Sequence, residues 1–218
     1  MEGYNQFESM LRKDKACHEA MFGLGKLNFL IKRYEIAERW FQDAFAQHKD
    51  YVYRAWLGFT YIQLYKAMAP GNPKRAKFLS YAVKNLSRCA KERDLAHYAI
   101  IVLLYLAIDL QQSGEPGCRE LEEPSKYLND LKTLSNNNSY DISVEVALAE
   151  TYVELHTPGE VQKGLTSVKK VIFHNPTRPE PYLMVARHHA ERKEYAEEKR
   201  LLSYAMQNAT DYHSYPER

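Results

Sequence analysis

The residues of this 218-residue chain that could do chemistry are few: His188 beside His189, Cys17 beside His18, and the glycines of Gly23-x-Gly25. Paired histidines can ligate a metal, but neighbours on a helix point about 100° apart and cannot hold one ion from one face. A cysteine next to a histidine could be a nucleophile and its base, yet no third group stands near in sequence to orient the pair. The glycines would cradle a phosphate only after a strand and with a third glycine, and "GLGKLNF" supplies neither. No convergent catalytic set emerges. The chain is therefore read as non-enzymatic, with no catalytic residue, metal or cofactor.

Aromatic residues are the other resource. The chain has 17 tyrosines, and Tyr51, Tyr53, Phe59, Tyr61 and Tyr65 gather in one short stretch. Tyrosine gives contact area at low entropic cost and is enriched in binding surfaces, but it also fills cores. Tyr61 is expected in the core and Phe59 on the open side of its helix.

Bulk charge excludes some partners. Lys and Arg total 30 against 28 Asp and Glu, a net charge of +2, so no general field draws the chain to nucleic acid or to an anionic membrane. The basic runs Lys74-Arg75-Lys77 and Lys169-Lys170 are short and read as solvated faces. Arg187, His188 and Arg192 give only a faint version of the interleaved surface that RNA would need. Cys17, Cys89 and Cys118 are odd in number and widely spaced, which fits neither a disulfide framework nor a zinc site and indicates a reducing compartment. "MEGYNQFESMLRKDK" has no apolar signal region, and the run Ala99 to Ile108 is too short to span a bilayer. The expected location is intracellular, cytoplasmic or nuclear, with a cilium among the options, and with no membrane partner.

These residues must be positioned by helices. Met21, Leu24, Leu27, Leu30 and Ile31 recur at helical spacing; after Lys32-Arg33 the pattern restarts with Ile36, Ala37, Trp40, Phe41, Ala44 and Phe45. Two amphipathic helices joined by a short turn leave an apolar face that a neighbour must cover, and this predicts a series with a period of about 34 residues. The series is there. "GLGKLNF" is echoed by "AWLGFTY", and "KRYEIA" is answered by "KEYAEE".

Leu57, Gly58 and Tyr61 reproduce an L-G-x2-Y spacing. Leu24-Gly25 is followed by Tyr34, Ala37, Phe41 and Ala44, and Tyr182, Ala186, Tyr195, Leu202 and Ala205 fall at matching offsets, with Pro176 closing the unit before them. In these residues the chain resembles the tetratricopeptide repeat (TPR) family over most of its length. The resemblance implies an all-α fold of antiparallel helix hairpins stacked into a right-handed superhelical solenoid. One array over 1–218 is expected: a half repeat at 1–17 in which Phe7 and Met10 pack, hairpins at 18–50, 51–92, 94–135, 141–176 and 178–211, and a tail at 212–218. Departures include Asn28 in place of the usual Tyr, the long turn "AMAPGNPKR", the turn "HTPGEVQK", and a central unit whose helices, about 95–110 and 127–134, are separated by an exposed loop. Asp141 is the expected N-cap of the helix that follows it.

The resemblance also implies a concave groove lined by the first helix of each pair. Carried over by position, its partner-binding residues are Phe22, Lys26 and Phe29, with Glu19 beside them, then Phe59 and Ile62 with Val52 and Ala55, then Glu150 and, further on, Arg187 with Leu183. Lys26 and Phe59 stand where a chaperone-docking carboxylate clamp would place asparagines, which argues against that clamp. A groove rich in rings and poor in charge suits a helix or extended segment of another protein held by buried anchors. The function so implied is that of a non-catalytic scaffold, one subunit of a stable multiprotein complex; the alternative is an RNA-associated helical-repeat protein.

Overall fold

Helix pairs in this chain are set by where a residue has no side chain. In the computed structural model, which describes residues 2–92, 96–137, 158–174 and 179–212, all regular structure among the described residues is α-helical. The chain divides into two units, Met1–Tyr127 and Leu128–Arg218, and the division falls inside the stretch expected to form the hairpin 94–135.

The first unit contains α1 (Glu2–Lys13), α2 (His18–Leu30), α3 (Tyr34–Gln47), α4 (Tyr51–Ala67), α5 (Pro73–Cys89) and α6 (Ala96–Ser113), and α7 (Pro124–Asn137) starts near its end. α2 pairs with α3 and α4 with α5; α1, α3 and α5 each also pack on the helix that follows. Local chemistry starts the second pair cleanly. Asp50 caps α4 by accepting the Val52 amide at 2.7 Å, and Asn72 caps α5 by accepting the Lys74 amide at 2.9 Å, with Pro73 at the first helical position.

Within each pair a glycine lets the backbones close. A Cβ on Gly25 would lie 2.5 Å from Cε1 of the fully buried Phe41, and one on Gly58 would lie 2.7 Å from Cγ of Leu86. Gly23 is covered in the same way by the ring of Phe7 from α1. The large residue fills the space that the glycine opens. Asn28 is tolerated at 2% exposure because its Nδ2 donates to the Leu24 carbonyl at 2.8 Å. Tyr61 is core, as its spacing predicts: it is 5% exposed, its hydroxyl accepts from Gln42 Nε2 at 2.9 Å, and burial pushes the phenol up to about 12.

α2 ends in a C-cap made by two hydrogen bonds. The Arg33 amide reaches the Asn28 carbonyl at 2.8 Å and the Lys32 amide reaches Phe29 at 3.0 Å, with Lys32 left-handed at φ 61°. This geometry corrects the expected apolar stripe, since α2 ends at Leu30 with Ile31 as its cap, and the two are 69% and 58% exposed. Met10, expected to pack, is likewise 42% exposed.

The same cap at the end of α6 builds a polar latch. Gly114 is left-handed at φ 67°, the Glu115 amide donates to the Leu110 carbonyl at 3.1 Å, and the Glu115 carboxylate is thereby turned toward α4 and α5. It accepts from Arg75 Nη2 at 2.9 Å and from the Tyr65 hydroxyl at 2.5 Å, while the Arg75 guanidinium lies 4.5 Å from the Tyr65 ring centroid. Arg75 is thus not on a solvated face as the basic run suggested, since its side chain is only 14% exposed. Burial, and then donation to Glu115, hold the Tyr65 phenol above its ordinary value.

The second unit contains α8 (Pro158–His174), α9 (Pro179–Glu191) and α10 (Tyr195–Tyr212), with α8 on α9 and α9 paired with α10. α8 begins at Pro158, so most of "HTPGEVQK" is helix and not turn; proline is well placed at a helix start. The turn before α10 repeats the cap of α2: the Glu194 amide donates to the His189 carbonyl and the Lys193 amide to Ala190, both at 2.9 Å, with Lys193 at φ 61°. The echo of "KRY" in "KEY" is thus an echo of backbone geometry. Asp141, Glu150 and Pro176 lie outside the described residues.

Three stability changes follow, each read by urea unfolding. Gly25→Ala loses roughly 1–3 kcal/mol through the clash with Phe41, whereas Gly3→Ala, which meets nothing within 4 Å, does not destabilise. Lys32→Gly gains up to about 1 kcal/mol by relieving the left-handed side chain. Glu115→Leu loses on the order of 2 kcal/mol because it leaves the Arg75 charge half-buried and unpaired. A neutral Gly25→Ala would contradict the packing described.

Candidate functional site

The first helices of the two leading pairs, α2 and α4, carry a continuous set of rings, and the set has a centre. Trp56 of α4 lies 6.1 Å from Phe22, 5.3 Å from Phe29, 5.7 Å from Phe41 and 6.1 Å from Phe59, measured between ring centroids. Its contacts with Phe22, Phe29 and Phe59 are edge-on, an arrangement that aromatic quadrupoles favour. The Lys26 ammonium completes the cluster, 5.6 Å from the Trp56 ring and 5.8 Å from that of Phe22.

Packing beneath fixes these side chains. Phe41 is fully buried and meets Phe22 at 5.6 Å, and Phe22 meets the buried Tyr53 at 4.6 Å. Phe29 is braced on its other side by Tyr34 of α3 at 5.4 Å. Trp56 itself starts a helical back-bond, its carbonyl accepting from the buried Thr60 hydroxyl at 2.8 Å. Phe22, Phe29, Trp56 and Phe59 each remain half-buried, so one side of every ring is held and another is open.

Toward the start of α2 the surface becomes polar. His18 stacks on His48 at 4.6 Å with an interplanar angle of 16°, and His18 Nδ1 is 2.8 Å from the Tyr53 hydroxyl. Burial raises the Tyr53 phenol. Glu19 is exposed, and a hydrogen bond from its own backbone amide is the main reason its carboxylate is held low, as suits the N-terminal turn of a helix.

Four of the residues expected to line the groove, Phe22, Lys26, Phe29 and Phe59, therefore meet at one indole. Sequence reasoning missed that indole because repeat offsets assigned Ala55 to the open side, whereas Ala55 is 7% exposed and packed. The available signal was the i, i+3 spacing of Trp56 and Phe59, which puts two large rings on one helical face. Ile62 is a correction: at 8% exposure it belongs to the packed side of α4. Glu150 lies outside the described residues. Arg187 belongs to the second unit, exposed on α9 and 3.8 Å from Glu191.

The residues weighed for chemistry have other occupations. His189 Nδ1 lies 2.6 Å from Glu194, which also accepts from Arg192 Nε at 2.8 Å, and these two contacts hold the Glu194 carboxylate low. Cys89 is buried, and burial pushes its thiol up to about 11. A cavity of about 180 Å³ is lined by Tyr65, Lys66, Arg75, Asp109, Ser113 and Glu115, but its charges are already matched: Arg75 by Glu115, and Lys66 by Asp109 at 3.1 Å. No helix among the described residues is long and apolar enough to cross a membrane.

The sequence matches no protein-family model and no curated protein. In three dimensions the chain is similar to TTC0263, a thermophilic TPR protein of Thermus thermophilus, with 18% identity, 89% of this chain and 92% of that one covered, and a TM-score of 0.66. It is also similar to yeast Tom70, with 16% identity and a TM-score of 0.57, covering 96% of this chain and 43% of that one. Joined to the glycine-centred hairpins, these likenesses show that the chain has the tetratricopeptide-repeat fold.

Proposed function

We propose that the chain is a non-catalytic interaction scaffold, a subunit of a larger protein complex, and that it seats a helix or extended segment of a partner across the α2–α4 face. The observation that carries this reading is the convergence of Phe22, Lys26, Phe29 and Phe59 on Trp56. Rings held from below and open above are what interface anchors require, because their conformational entropy is already spent before the partner arrives. His18, stacked on His48 and bonded to Tyr53, and His189, held by Glu194, support the non-catalytic reading, as does the burial of Cys89. The three described cysteines are free thiols, which agrees with a reducing compartment inside the cell.

The test is mild affinity purification of the tagged chain from its native cell, with and without nuclease, in parallel with Phe59→Ala and Phe29→Ala. The expected result is a stoichiometric protein companion that resists nuclease and is lost from both variants while helicity stays unchanged. Loss of an anchor of this kind weakens binding by about 2 kcal/mol, roughly thirty-fold. Companions that vanish with nuclease would contradict the proposal in favour of RNA, and companions retained by both variants would move the contact elsewhere.

A further inference from the structure

Among the described residues, Lys26 is the one cation within the aromatic face, and its partners decide what that face can accept. Its ammonium contacts the rings of Phe22 and Trp56 and, among the described residues, no carboxylate. Ring faces attract a cation but accept no conventional hydrogen bond, so the three ammonium donors are satisfied by water while the surface is open. A partner laid across Phe22, Trp56 and Phe59 removes that water. A buried ammonium left without an acceptor is strongly unfavourable, far beyond what ring faces repay.

From this we propose that the segment received by the α2–α4 face carries an acidic side chain, aspartate or glutamate, between apolar anchors, and that Lys26 is the residue which selects it. The proposal rests on the reading of this face as the partner site and adds the partner's chemistry. Segments with an apolar or basic residue over Lys26, which offer the ammonium no acceptor, are rejected by desolvation more than by lost attraction. A chain-terminal carboxylate is not required, since one ammonium meets one side-chain carboxylate.

The probe is a phage-displayed random peptide library, selected on the full-length chain and on full-length Lys26→Met and Lys26→Glu, with Phe59→Ala as the control that defines this face. Both Lys26 changes sit at an exposed position, and circular dichroism checks that the helices persist. Among peptides that Phe59→Ala no longer captures, the native chain enriches sequences with an acidic residue between apolar ones. Lys26→Met loses that enrichment yet still captures apolar peptides, and Lys26→Glu enriches lysine or arginine at the same place. In a selected peptide, changing the acid to its amide weakens binding to the native chain by about five-fold and leaves Lys26→Met unaffected. Apolar peptides with no acidic enrichment, or an amide that binds equally well, would overturn the Lys26 assignment while leaving the site intact. A library that yields nothing sensitive to Phe59→Ala would overturn the site and the assignment together.

Discussion

Everything in the first unit depends on how closely α2 approaches α3. Gly25 presents no Cβ, and the ring of Phe41 occupies the space where one would be. That insertion fixes both the separation and the rotation of the pair, because a ring wedged against backbone cannot slide without leaving a void. Leu86 against Gly58 does the same for α4 and α5, and Phe7 against Gly23 ties α1 to the series. Each hairpin is therefore a rigid plate whose outer faces are set by a contact on the inside.

The aromatic surface is the far side of that contact. Phe41 touches Gly25 and also meets both Phe22 and Trp56, so one buried ring both closes the hairpin and supports half-open rings on α2 and α4. A surface built this way is ordered before anything binds, which distinguishes it from the exposed apolar residues Leu30 and Ile31 at the turn. Those two stand exposed at a helix end, whereas Trp56 is half-buried and braced by rings from α2, α3 and its own helix. The Glu115 latch serves a different purpose. It joins the end of α6 to α4 and α5 through Arg75 and Tyr65, and its charges cancel within the fold.

Helical periodicity made the hairpins legible, and small-against-large spacing made their crossings legible, since Gly25 with Phe41 is a local relation within one repeat. Phe22 and Phe29 on α2 and Phe59 on α4 stand half-open where the offsets put them, whereas the offsets assign Ala55 and Ile62, both packed, in place of Trp56. The reason is that a repeat pattern records contacts between helices of one pair, while the orientation of a large ring also depends on rings from the neighbouring pair. Arg75 departs from the solvated face that its basic run suggests for a similar reason. A basic run looks solvated until a carboxylate from 40 residues away folds back onto it, and that return is dictated by a left-handed Gly114 whose conformation no spacing reveals. The two left-handed lysines, Lys32 and Lys193, show the reverse: similar short turns carried the same backbone geometry although neither has the glycine usual there.

The most direct measurement of the account is hydroxyl-radical footprinting of the chain, alone and with its captured companion, read residue by residue. Protection of Trp56, Phe29 and Phe59 on binding, with Phe173 of α8 and Tyr195 of α10 unchanged, is the predicted result. Unaltered labelling of the Trp56 cluster, with protection confined to the second unit, would contradict the claim that the α2–α4 face is where this protein meets its partner.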